Sequence, residues 1–213
     1  MSAATQFLSH DQPVTLASGE ALPAVTIAYE TWGRLNDDRS NAVLILTGLS
    51  PSAHAASSPE DPKDGWWEPM VGSGKPIDSD RFFIICVNSL GSCWGSTGPA
   101  SERPDGDRPW RLAFPELAIE DIAATADLVL QHYGIEQLAA IVGPSMGGMS
   151  AQAWMKQNPR RARHAVLIST TPAAEPFAIA IRSLQREAIT SDPAFQNGEY
   201  TETDWPASGM RMA

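Results

Sequence analysis

Ser145 is the residue whose neighbours best fit it for chemistry. It sits in Gly143-Pro144-Ser145-Met146-Gly147-Gly148-Met149, with the apolar run 138–142 before it and a helix-forming stretch after it. A buried strand that turns sharply into a helix, with serine at the apex and glycines on either side, is a nucleophile elbow. A Gly-x-Ser-x-Gly pattern arises often by chance; the strand before it and the helix after it make it specific. The chemistry implied is nucleophilic catalysis through a serine ester. Such a serine needs a base to take its proton, and the tetrahedral intermediate needs N–H donors for its oxyanion. The amide of Met146, directly after the serine, is one expected donor. The amide of Leu49, after the Thr47-Gly48 turn that ends an earlier strand, is the other.

The base is harder to find. The chain has four histidines, and in an elbow of this kind acid and base follow the serine in chain order. His164 begins the next strand, on the order of 15 Å from the serine end at about 3.3 Å per residue. His132 sits near a helix end on the same wrong side, and His10 near the N-terminus. His54, in Ser52-Ala53-His54-Ala55, is on the site's side but precedes the serine. It is left as a base, a pocket-lining residue or a structural surface residue. The expectation is that the catalytic Asp and His are not in this chain.

The elements that must position the serine follow from apolar periodicity. Residues 42–46, 81–87, 138–142 and 165–168 are continuous apolar runs, the mark of strands covered on both faces. Helices are predicted from 115–116 to a stop at Gly134, from 146 to 157 before Pro159, and from 177 to 190. Alternating strands and helices give an α/β fold with a mostly parallel sheet flanked by helices. Ligands bind beyond the carboxyl ends of such strands, where Ser145 and the loops 47–55 and 88–98 converge. Residues 14–16 and 24–29 read as a hairpin around Ser18-Gly19-Glu20. Residues 51–80, rich in Pro and Gly, read as an ordered excursion pinned to the body by Trp66 and Trp67. The expected organisation is a loose arm over 1–12, a core over 13–175, and the start of a helical lid over 176–213.

Composition narrows the class. A formal net charge of −10 over 213 residues argues against a nucleic-acid binder, although a local pocket can still be positive. The two cysteines, Cys86 and Cys93, make no disulfide framework and read as reduced thiols in a cytoplasmic protein. The N-terminus lacks a signal-peptide pattern, and no run approaches the ~18 apolar residues of a membrane span. No metal site is expected.

The chain resembles the homoserine O-acyltransferase family of the α/β-hydrolase superfamily. The resemblance is carried by Ala28-Tyr29-Glu30-Thr31-Trp32-Gly33, Ser52-Ala53-His54-Ala55-Ala56, Gly65-Trp66-Trp67 and Gly74-Lys75-Pro76-Ile77-Asp78, by 90–99, and by 143–149. Within the family, 47–51, 88–93 and 181–189 are most similar to the members that succinylate serine. The resemblance implies an α/β-hydrolase fold cut before most of its lid and its C-terminal strands. It implies ping-pong transfer of a succinyl group from succinyl-CoA through a Ser145 ester to the hydroxyl of L-serine. No permanent cofactor is implied, and Ser52, Ala53, His54 and Ala55 would set substrate preference. The partners implied are small molecules, with no nucleic acid or membrane, and the complete enzyme would be a homodimer. Homoserine as acceptor and acetyl-CoA as donor stay open, because one methylene is worth only about 1–3 kcal/mol. A simple serine hydrolase and an inactive fragment are the further alternatives.

Overall fold

Alternation along β5 (Ala42–Leu46) divides the core in two. Side chains of successive strand residues point to opposite faces. Ala42, Leu44 and Leu46 accordingly enter one apolar cluster, while Val43 and Ile45 enter another. The computed structural model describes residues 1–104, 106, 108–201 and 203–213.

The main sheet has six strands. In chain order they are β1 (Gln6–His10), β4 (Val25–Trp32), β5, β8 (Phe83–Val87), β9 (Leu138–Pro144) and β10 (Ala162–Ile168). Short pairs lie outside it: β2 (Val14–Thr15) with β3 (Ala21–Leu22), and β6 (Val71–Gly72) with β7 (Ile77–Asp78). The spatial order is β1-β4-β8-β5-β9-β10. The strands from β8 to β10 run parallel to one another, while β1 and β4 add an antiparallel edge. The helices are α1 (Ile119–His132), α2 (Met146–Gln157), α3 (Pro176–Thr190) and α4 (Ala207–Met212).

Two sequence expectations change at the N-terminal edge. Residues 6–10, read as part of a loose arm, form β1, because β4 offers them a free row of backbone donors and acceptors. The hairpin around Gly19 exists, but its return strand is Ala21–Leu22 rather than 24–29. The β4 run belongs to the main sheet, where Ile27 and Tyr29 are buried. After α3 come a 3-10 segment, Pro193–Gly198, and the short helix α4.

One face of the sheet is covered by α1 and α2. Asp121 caps α1 by accepting the Ala118 N–H at 2.8 Å, and it holds the Ala17 N–H at 2.7 Å. Trp154 of α2 is fully buried, and its indole N–H donates to Asp127 of α1 at 3.0 Å. Arg161 closes the triangle, donating to both Asp127 carboxylate oxygens at 2.9 and 3.0 Å. That clamp fixes α1, α2 and the entry to β10 relative to one another. Gly134, at φ 63°, ends α1 in a conformation glycine adopts without steric cost.

The other face is covered by the excursion after β5. Trp66 and Trp67 stack with ring centroids 5.1 Å apart and pack with Ala53, Ala55 and Val71 against Val43, Ile45 and Val142. The pinning role expected of these tryptophans is what the structure gives them. At the far edge, β10 leaves Val166, Leu167 and Ile168 exposed at 45, 39 and 36%. Among the described residues, no helix is long and apolar enough to cross a membrane.

Candidate active site

Ser145 joins β9 to α2 in a conformation that only a tight fold-back requires. Its φ and ψ are 53° and −123°, a region that costs an L-residue of order 1–3 kcal/mol. The turn is held from outside, because the Ser145 N–H donates to the Ile168 carbonyl at 2.9 Å. The glycines supply room. A Cβ at Gly143 would lie 2.3 Å from the Gly147 carbonyl oxygen, and one at Gly147 would lie 1.9 Å from the Leu46 carbonyl oxygen. Strand, elbow and helix can approach this closely only without those side chains.

The serine side chain is exposed and opens onto a cavity of about 780 Å³. Leu49 and Met146 line the same cavity, so the structure brings together three of the residues singled out in the sequence. Met146 is the first residue of α2, so its N–H has no acceptor within the helix. The helix N-terminus adds partial positive charge at this point. Gly48 brings the second loop close: a Cβ there would be 3.9 Å from the Ser145 Cβ. The arrangement can stabilise an anion that forms on a carbonyl oxygen beside Ser145.

Ser52, Ala53, His54 and Ala55 do not line this cavity. Ala53 and Ala55 are fully buried, packed in the apolar cluster with Val43, Ile45 and Val142 of the sheet. His54 points away into a polar clamp. Its Nδ1 is 2.9 Å from Glu30 Oε2 and its Nε2 is 2.9 Å from the Lys63 carbonyl oxygen. Burial works against a charge on this ring. The Glu30 hydrogen bond, the Lys63 carbonyl and the charges of Glu30 and Asp61 outweigh it and raise the pKa above 6.5. A ring with an acceptor at each nitrogen is best satisfied as imidazolium, which donates from both. Its partner Glu30 is 1% exposed and also accepts from Thr5 Oγ1 at 3.0 Å.

The loop 88–98 supports the site rather than forming its wall. Asn88 accepts the Ala53 N–H at 2.6 Å and donates to the Trp94 carbonyl at 2.7 Å. The Trp94 indole N–H donates to the Ser50 carbonyl at 2.9 Å. The segment that follows Leu49 is thus tied to this loop at Ser50 and at Ala53. Gly91, Ser92 and Cys93 line a separate cavity with Phe195 and Tyr200.

The remaining histidines stand elsewhere. His164 pairs in register with Ala140, four residues before the Ile168–Pro144 pair at the serine end. His132 closes α1 beside Tyr133, and His10 ends β1. None of the four lines the cavity at Ser145. Missed from the sequence were Arg182 and Arg186 of α3, which do line it; their spacing of four on one helix was the available signal.

Residues 41–203 match the model of the alpha/beta hydrolase fold family. The chain belongs to that family. It is 55% identical over 98% of its length to a serine O-succinyltransferase of Xanthomonas campestris pv. campestris (strain B100), covering 55% of that protein. It is 56% identical, again over 98% of its length, to a serine O-succinyltransferase of Stenotrophomonas maltophilia, covering 56% of it. The chain therefore spans about half the length of the curated relatives it matches. Among solved structures it superposes on a homoserine O-acetyltransferase from Bacillus anthracis with a TM-score of 0.90 at 30% identity, over 98% of this chain and 57% of the other. It superposes on esterase E22 with a TM-score of 0.88 at 31% identity, over 96% and 58%.

Proposed function

We propose that this chain carries the acyl-accepting serine of an acyl-CoA-dependent amino-acid O-acyltransferase, with succinyl-CoA as donor and the hydroxyl of L-serine as acceptor. The observation that carries the reading is the strained, exposed Ser145 sharing one cavity with Leu49 and Met146. The two serine O-succinyltransferases above support the choice of donor and acceptor. In the first half-reaction Ser145 Oγ bonds to the thioester carbonyl carbon while the N–H groups of Leu49 and Met146 meet the charge on its oxygen. The C–S bond then breaks, and coenzyme A leaves as the thiol with the serine proton. In the second half-reaction the amino-acid hydroxyl attacks the Ser145 ester, giving O-succinylserine and restoring the serine hydroxyl. The base and its acid partner come, on this reading, from outside these 213 residues, with residues 176–213 beginning a lid that excludes water. The working enzyme is read as a cytoplasmic homodimer. Residues 52–55 act on substrate preference by setting the packing under the Leu49 loop.

A second reading, a serine esterase, is favoured by the likeness to esterase E22. The same elbow serves both, and the readings differ in what attacks the ester. Incubating the full-length gene product with succinyl-CoA or acetyl-CoA, and with serine or homoserine, separates them. O-succinylserine with equimolar free thiol is expected. Free succinate without the amino-acid ester overturns the transferase reading, and turnover by Ser145→Ala overturns the nucleophile.

A further inference from the structure

Arg111 holds a backbone conformation that an arginine does not adopt without cause. Its φ is 48°, in the left-handed region where a Cβ crowds the following carbonyl and glycine is the ordinary occupant. A turn alone would not call for this side chain. What the side chain does is reach a second strained stretch. Gln196, Asn197 and Gly198 stand in succession at φ 47°, 55° and 82°, and the chain that leaves this left-handed run meets the guanidinium. Nη1 of Arg111 donates to the Gly198 carbonyl and, at 3.3 Å, to the Tyr200 carbonyl. Its Nε lies 3.1 Å from Glu199 Oε2, whose side chain is 61% exposed, so the ion pair adds little beside the two carbonyl bonds. Leu112 closes the contact: a Cβ on Gly198 would lie 3.0 Å from Leu112 Cγ.

The segment that Arg111 grips is the far end of the helix over Ser145. Ala178, Ile179 and Ile189 of α3 line the serine cavity, yet no residue of α3 is buried, so packing into the core does not fix the helix in place. Asp192, just past its C-terminus, accepts the N–H groups of Ala194 at 3.0 Å and Gly209 at 2.8 Å. A Cβ on Gly209 would lie 2.3 Å from the Ala188 carbonyl oxygen, so α4 packs directly on α3. Helix α3, the 3-10 segment and α4 therefore form one unit. The chain enters it past Ser169, at φ 48°, beyond the end of β10. At the opposite end Arg111 joins it to the core, where the Arg111 N–H donates to the Pro99 carbonyl at 2.7 Å.

We propose that Arg111 is a positioning residue that holds the α3–α4 unit closed over the Ser145 cavity, and that this closure directs the Ser145 ester to an amino-acid hydroxyl rather than to water. The inference rests on the acyltransferase reading above. With the unit open, water attacks the ester carbonyl carbon, the bond to Ser145 Oγ breaks, and succinate leaves while the serine regains a proton from that water. With the unit closed, water is kept out and the amino-acid hydroxyl breaks the same bond. Arg111 lines neither the serine cavity nor the elbow; it acts through the position of α3.

The test uses the full-length enzyme and its Arg111→Met, Arg111→Lys and Glu199→Gln variants. Free succinate and O-succinylserine are measured together from succinyl-CoA and serine. Arg111→Met is expected to raise the ratio of succinate to ester roughly 10-fold, as loss of charge-assisted hydrogen bonds would. Arg111→Lys keeps a donor and recovers part of the ratio, and Glu199→Gln, which leaves both carbonyl bonds, stays near wild type. A slower enzyme with an unchanged ratio overturns the inference, because a merely structural loss lowers both products alike. Wild-type protein supplies a check independent of the variants. In native hydrogen exchange at low urea, the amides of α3 and of Glu199 should open together, before those of α1. Opening of α3 while Glu199 stays protected overturns the latch. Wild-type enzyme that forms no amino-acid ester overturns the acyltransferase reading itself, and the exchange experiment then still decides whether Arg111 holds the unit.

Discussion

A Cβ placed on Gly147 would fall 1.9 Å from the carbonyl oxygen of Leu46. This contact between the first turn of α2 and the end of β5 sets how closely the elbow approaches the loop bearing Leu49. Gly147→Ala must push helix and strand apart. Overpacking of this kind typically costs about 1–3 kcal/mol. Urea unfolding should register that loss, and phosphonate labelling of Ser145 should slow with it. Wild-type stability together with wild-type labelling would contradict the geometric argument.

Asn88 is 2% exposed and joins Ala53 to Trp94. Asn88→Ala leaves a buried N–H and a carbonyl without partners, a loss on the order of 1–3 kcal/mol for each such group. The brace under Leu49 goes with it. In the full-length enzyme kcat is expected to fall more than KM rises, since an oxyanion donor acts mainly in the transition state. A pure KM effect would assign Asn88 to ground-state binding.

The His54–Glu30 pair ties β4 to the loop after β5. Burial opposes the His54 charge, but the Glu30 and Lys63 hydrogen bonds prevail, so the folded pKa lies above 6.5. A raised pKa means that the imidazolium stabilises the fold fully below the unfolded value. That contribution is lost as pH rises through the folded value. Wild-type stability relative to His54→Gln should therefore shrink on titration from pH 6 upward, as read by thermal unfolding across pH. A difference that grows with pH would mean the ring is held neutral.

The two thiols should separate cleanly. Cys86 is fully buried opposite Glu30 in the sheet, and burial, helped by the Glu30 charge, raises its pKa well above 9.0. Cys93 is exposed. A thiol reagent under native conditions should label Cys93 alone, and Cys86 only after denaturant is added. Native labelling of Cys86 would mean that β8 opens far more readily than its packing implies.

The sequence by itself determined the elements around Ser145. Apolar runs and breakers act locally, so β5, β9, α2 and the stop at Gly134 were legible within a residue or two. The elbow was legible too, because glycine spacing is a local steric demand. Contacts distant in sequence were decided only in three dimensions. Residues 6–10 became a strand because β4 had a free edge, not because of their own pattern. His54 was turned away from the serine by a carboxylate 24 residues earlier, and the loop 88–98 became a brace because Asn88 met Ala53. The face that α3 presents to Ser145 was likewise set by packing. A helix's periodicity says which residues share a side; only the tertiary structure chooses what that side meets, and here it put Arg182 and Arg186 on the wall of the cavity that Ser145 opens onto.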